Sequence, residues 1–161
     1  MKKAIYAGSF DPVTVGHIDI IKRSLKVVDH LVIGVGDNIK KKYLFDAKTR
    51  LNLLKESLKD YIDMEKVTIK FFNNLLVDFA KEESASILIR GIRAFSDFDY
   101  EYQIALTNQD LSKNIETIFL IARPEFIFVS SSTIKEIAHF KKDISKYVTK
   151  IVKDAIEEKF K

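Results

Sequence analysis

Four short clusters hold the residues of this chain best suited to phosphate chemistry. The first is Gly8-Ser9-Phe10-Asp11-Pro12-Val13-Thr14-Val15-Gly16-His17, which follows the apolar run Ala4-Ile5-Tyr6 and leads into an amphipathic segment. A strand that turns at Gly8 and feeds a helix presents unpaired backbone N–H groups and the positive dipole end to an anion. His17 would be aimed at that anion. An ordinary strand–turn–helix with a chance histidine has the same local pattern. The second cluster is Lys40-Lys41-Lys42, either a solvated loop or a mobile ammonium able to close over a phosphate. The third is Arg90-Gly91-Ile92-Arg93, followed by Asp97-Phe98-Asp99-Tyr100-Glu101. Two guanidiniums flanking a glycine turn suit bidentate contact with two different phosphates, and the acids suit a first helical turn. The fourth is Val129-Ser130-Ser131-Ser132, where serines can cap a helix and, with its N–H groups, cradle a second phosphate.

These clusters need a scaffold, and the hydrophobic periodicity predicts one. Short runs rich in β-branched and aliphatic residues at 4–6, 30–35, 67–71, 86–89 and 117–121 read as strands. Helical spacing is seen at 18–28, where Ile18, Ile21, Leu25 and Val28 share a face, and again at 75–83 and 97–111. Asp46 is placed to cap a helix carrying Leu51, Leu54 and Leu58, and 143–160 reads as one lysine-rich helix packed through Ile144, Tyr147, Val148, Ile151 and Ala155. Such alternation predicts an α/β fold: a Rossmann-like, doubly wound, parallel five-stranded sheet with helices on both faces and a C-terminal helical segment. Ligands of such sheets bind beyond the carboxyl ends of the strands, near the topological switch point. Each phosphate-handling cluster up to Arg93 follows a predicted strand, as does Asn73-Asn74. A dinucleotide fingerprint is absent, because Ile39 stands where the third glycine after Gly34 and Gly36 should be.

Bulk properties narrow the function further. With 161 residues, nearly half of them apolar, the chain is expected to form a single domain over 1–161. It has no cysteine, which excludes disulfides and thiolate catalysis, and its histidines (His17, His30, His139) lack metal-ligand spacing. No apolar stretch approaches a membrane span and no signal-peptide pattern opens the chain, so a cytoplasmic location is expected. The net charge of +4 suits an anionic small substrate. A nucleic-acid-binding module is disfavoured by the lack of an aromatic RNA-binding motif or a helix-turn-helix signature.

Taken jointly, G-S-F-D-P-x-T-x-G-H at 8–17, R-G-x-R-x-x-x-D-F-x-Y-E at 90–101 and V-S-S-S at 129–132 resemble the bacterial type of phosphopantetheine adenylyltransferase, within the nucleotidyltransferase superfamily that carries a T/H-x-G-H motif. The resemblance runs from Lys3 to about Tyr147. It implies adenylyl transfer from ATP to 4'-phosphopantetheine, giving dephospho-coenzyme A and pyrophosphate, with Mg2+ carried on the ATP phosphates. By the same resemblance, His17, Lys41 and Arg90 are catalytic. Ser9, Lys41, Asn74, Leu76 and Arg90 take the phosphopantetheine side. Ser9, Phe10, His17, Gly91, Ile92, Arg93, Glu101, Phe126, Ile127, Phe128, Val129, Ser130, Ser131 and Ser132 take the ATP side. It implies a homohexamer and coenzyme A as a feedback inhibitor. Lys40-Lys41-Lys42-Tyr43 replaces a more usual S-K-K-P, which leaves Lys41 and Lys42 both open as the phosphate-contacting lysine. Transfer to another phosphate, such as nicotinate mononucleotide, is the nearest alternative.

Overall fold

A computed structural model describes residues 1–38 and 42–161. In chain order it contains β1 (Lys3–Gly8), α1 (Val15–Ser24), β2 (His30–Gly36), α2 (Ala47–Leu58), β3 (Val67–Phe72), α3 (Leu76–Glu82), β4 (Ile87–Ile92), α4 (Phe95–Leu111), β5 (Glu116–Ile121), α5 (Ser131–His139) and α6 (Lys150–Lys159). The strands form one sheet in the order β3-β2-β1-β4-β5, and every pairing is parallel. This is the predicted doubly wound architecture, with its switch point between β1 and β4.

Alternation along the strands divides the interior in two. Ala4, Tyr6, Leu31, Ile33, Val35 and Ile89 pack with apolar residues of α1, α2, α5 and α6, including Ile21, Leu54, Ile134 and Ile156. Ile5, Ala7, Val32 and Leu88 face the other way, onto Val77, Phe79 and Ala80 of α3. Helix α4 lies against β4, β5 and α3, yet none of its residues is buried.

Local chemistry explains most boundaries. Asp46 caps α2 by accepting from the Thr49 N–H at 2.7 Å, and Ser130 caps α5 by accepting from the Thr133 N–H at 3.0 Å. Two expectations need correction. Residues 143–160 are not one helix: Asp143 accepts from the Ser145 N–H at 3.0 Å, a local turn that competes with helix, and α6 starts only after Thr149. Ile144 and Val148 plug the core from the preceding turn; Val152 and Ile156 carry the buried face of α6, Ala155 packs beside them, and Ile151 is exposed. The glycine between the two arginines is also not in a turn. β4 continues through Arg90, Gly91 and Ile92, paired with Phe119, Leu120 and Ile121. A Cβ on Gly91 would meet Ile20 Cγ1 at 3.2 Å, so that glycine permits close packing of α1 on the sheet.

Gly34, on the interior strand β2, shows the same constraint more severely. A Cβ there would lie 2.8 Å from Phe79 Cε1 and 3.0 Å from Phe72 Cε1. Those two rings are stacked at 4.6 Å, and Phe79 is buried, so they have little room to give. Gly34→Ala is expected to destabilise the protein by about 1–3 kcal/mol through overpacking. A shift of the urea midpoint measures this, and an unchanged midpoint would show that the aromatic pair can move.

Candidate active site

The β1–β4 ladder stops at the Tyr6↔Ile89 pair. Beyond it Ala7 and Gly8 stay with β2 while Arg90 and Gly91 stay with β5. The strands part, and a cavity of about 820 Å³ opens at their carboxyl ends. Arg90 spans the gap: its NH1 donates to the Ala7 carbonyl at 2.7 Å. Its Nε and NH2 donate to the two Glu101 oxygens of α4 at 2.7 and 2.6 Å. Of the five guanidinium hydrogens, one on each terminal nitrogen remains for a ligand.

On the other side of the cavity, Thr14 caps α1. Its hydroxyl accepts from the His17 N–H at 3.3 Å, and its own N–H donates to His17 Nδ1 at 3.1 Å. This is a capping box in which a histidine takes the place usually held by Glu or Gln. A backbone N–H can only donate, so Nδ1 must accept, and the neutral ring carries its proton on Nε2. The ring packs edge-on to Phe10 at 5.0 Å. Burial, with Arg93 and Arg90 nearby, pushes the His17 pKa down from 6.5 to about 4. Tyr6 also lines the cavity, and burial raises its phenol to about 12, so it stays protonated.

The turn between β1 and α1 departs from the expected glycine turn. No glycine has a positive φ; the left-handed residue is Phe10, at φ 47°. For a bulky side chain this costs on the order of 1–3 kcal/mol and persists only where the surroundings enforce it. Asp11, the next residue, is buried and accepts from the Leu44 and Phe45 N–H groups at 2.8 and 2.9 Å and from Lys135 Nζ at 3.0 Å. Ser131 Oγ donates to the Pro12 carbonyl at 2.8 Å, and Arg93 NH1 donates to the Val129 carbonyl at 3.3 Å. Arg93 also pairs with Asp97 in the first turn of α4. The N-termini of α1 and α5 thus meet over one cavity.

The chain matches the cytidylyltransferase-like family model over residues 5–137. It is 48% identical over 161 residues to the phosphopantetheine adenylyltransferase of Caldanaerobacter subterraneus subsp. tengcongensis, covering 100% of this chain and 99% of that one. The chain belongs to the phosphopantetheine adenylyltransferase family. Another family member, from Wolbachia sp. subsp. Brugia malayi, is 53% identical over 146 residues, covering 90% of this chain and 86% of the other. Among solved structures, a Plasmodium falciparum nicotinic acid mononucleotide adenylyltransferase complexed with NaAD aligns with TM-score 0.75 at 18% identity, covering 98% of this chain and 96% of that one. At that identity the likeness concerns the fold.

Of the residues that resemblance to this family singles out, Ser9, His17, Arg90, Gly91, Arg93, Glu101, Phe126, Val129 and Ser130 to Ser132 line the cavity. Lys41 lies outside the described residues, whereas Lys42 lines the cavity. Phe10 sits between the lining residues Ser9 and Asp11 with its ring in the core rather than in the lining, and Ile92 is buried on β4. Ile127 and Phe128 are exposed beside the cavity rather than lining it, and Phe128 is 85% exposed. Asn74 donates to Glu82 Oε1 at 2.8 Å, and Leu76 packs partly into the α3 side of the core. Both lie away from the cavity lining. The Glu101 carboxylate has both oxygens on Arg90. Tyr6, Lys135 and Tyr100 line the cavity without having been singled out, and neither did Asp11 carry an assigned role. The signal for Asp11 was its place inside the first motif, and for Lys135 its place one turn into a serine-capped helix.

The His17 arrangement makes a testable statement about pH. In the ligand-free protein, nitrogen-detected NMR is expected to show a neutral, Nε2-protonated ring with a midpoint near 4. Because the folded pKa lies below the unfolded one, this group favours folding above about pH 6.5 and that contribution is lost as pH falls toward the folded value. A titration midpoint near the ordinary histidine value would refute the buried, capping role.

Proposed function

We propose that this chain transfers the adenylyl group of ATP to 4'-phosphopantetheine at the cavity between β1 and β4, giving dephospho-coenzyme A and pyrophosphate, a step of coenzyme A biosynthesis. The observation that carries this reading is that one cavity is lined by His17, by Arg90, and by Arg93 with the Ser130–Ser132 helix start, all groups suited to anions. The acceptor phosphate is already anionic, so attack on the α-phosphorus needs no general base and no covalent intermediate. What it needs is alignment and neutralisation of developing charge. His17 supplies an Nε2–H donor that does not depend on protonation near neutral pH. Ser9 and Arg90 hold the acceptor phosphate together with a lysine of the 40–42 run, and Arg93 with the serines holds the triphosphate.

The carboxylates facing the cavity are engaged: Asp11 with Lys135, Glu101 with Arg90, Asp97 with Arg93. Among the described residues no cluster of acidic or histidine side chains could hold a metal. By family resemblance, Mg2+ would enter on the ATP phosphates and add positive charge there. No helix among the described residues is long and apolar enough to cross a membrane, which fits a cytoplasmic enzyme. Coenzyme A shares the phosphopantetheine moiety of the acceptor and would compete for the same cavity.

A homo-oligomer, a hexamer by family resemblance, is supported by α4. Its Phe95, Leu106 and Leu111 are 87%, 48% and 52% exposed, and Ile121 at the end of edge strand β5 is 73% exposed. Apolar side chains so concentrated on one edge favour association with a second copy.

Pyrophosphate release is expected with 4'-phosphopantetheine and not with nicotinate mononucleotide; the reverse would overturn the acceptor assignment. His17→Ala should lower turnover by about 100-fold while ATP binding changes far less. Equal losses in both would remove His17 from transition-state stabilisation. Leu111→Glu should reduce the molar mass seen by light scattering, and an unchanged mass would place the interface elsewhere.

A further inference from the structure

Arg50 belongs to α2 and does not line the cavity, yet it is 1% exposed. Its NH1 donates to the Ser9 carbonyl at 2.9 Å and to the Gly36 carbonyl at 3.0 Å. Its NH2 pairs with the Asp37 carboxylate, and the Tyr43 ring covers the guanidinium at 4.1 Å. One buried cation therefore ties the end of β1 to the end of β2. Its Nε has no hydrogen-bond partner among the described residues. A buried ion pair is a weak source of stability, and an unpaired buried donor is a cost. The arrangement calls for a reason other than stability.

The acceptor supplies that reason. The Ser9 carbonyl belongs to the peptide plane that leads into Phe10, and the orientation of that plane about the Phe10 N–Cα bond is the φ angle of Phe10. Anchoring this carbonyl holds Phe10 at φ 47°, a conformation its side chain disfavours. The Ser9–Phe10 peptide is trans, so its N–H points to the side opposite Arg50. Donation to a carbonyl also polarises the peptide and strengthens its N–H as a donor. We propose that Arg50 is a positioning residue, which sets the Ser9–Phe10 peptide so that the Phe10 N–H and the Ser9 hydroxyl meet the reacting phosphates. The kinetic part of this inference rests on the adenylyl-transfer reading.

Arg50→Lys keeps the charge but loses the planar fork that reaches three acceptors from two nitrogens, and Arg50→Gln removes the charge. Both variants of the full chain should fold. Their turnover should fall by at least about tenfold, as misplacement of a reacting group requires. Their ATP dissociation constants, measured calorimetrically, should stay within about threefold of the parent. In the ligand-free variants the Phe10 amide resonance should move upfield as its peptide loses polarisation. Turnover within about twofold of the parent, an unmoved Phe10 amide, or ATP affinity lost in step with turnover each overturns the proposal. So does failure of both variants to fold, which would make Arg50 a stability residue. A parent enzyme that releases no pyrophosphate refutes the adenylyl-transfer reading alone, and the amide shift then judges Arg50 by itself.

Discussion

The parting of β1 and β4 is the constraint on which the rest of the structure depends. Two parallel strands that separate at their carboxyl ends leave backbone groups without a ladder, in a place that the surrounding sheet keeps from collapsing. Here the gap is spanned by the Arg90 guanidinium, whose NH1 reaches the Ala7 carbonyl. Once a cation is held there, the nearby groups follow from electrostatics. Glu101 is drawn in to fix the guanidinium bidentately, and the imidazole across the cavity is kept neutral by burial and by the two arginines. In the proposed reaction an arriving phosphate would meet oriented donors in place, with little reorganisation left for the moment of reaction.

The same economy is seen in how the loops are held. Around the site, single polar side chains hold loop backbone in place. Asp11 takes two N–H groups from the start of the α2 approach, Ser131 takes the Pro12 carbonyl, and Arg50 takes the carbonyls of Ser9 and Gly36. Asp11 and Arg50 are buried and Ser131 half-buried, and each is satisfied by main chain, which restricts a loop to one conformation. That restriction lets a non-glycine residue stay in left-handed backbone next to the site.

Much of this was legible beforehand, and the failures have physical causes. Strand–helix alternation indicated a doubly wound sheet, and Asp46 and Ser130 cap the helices they precede because their side chains can satisfy free N–H groups. The C-terminal segment misled because Ile144, Tyr147 and Val148 have helical spacing while an Asp–Ser turn breaks the chain there. The turn assigned to Gly8 is made by Phe10, since tertiary anchoring outweighed local preference. Arg50 was visible in outline: it shares the inward face of α2 with Leu53, Leu54, Ser57 and Leu58, an odd place for an arginine. Periodicity can mark such a residue as buried, but the carbonyls it will meet belong to strands distant in sequence. Lys41 against Lys42 stays where the spacing left it, for Lys41 lies outside the described residues.

Helix α4 has a consequence of its own. Glu101 orients Arg90, but it is mounted on a helix with no residue buried in the chain's own core. In the proposed assembly, a second copy on its outer side would add to the hold that β4, β5 and α3 already have on that helix, and so steady the aim of the guanidinium. Dilution would then blunt the enzyme from a distance, with every cavity-lining residue still present.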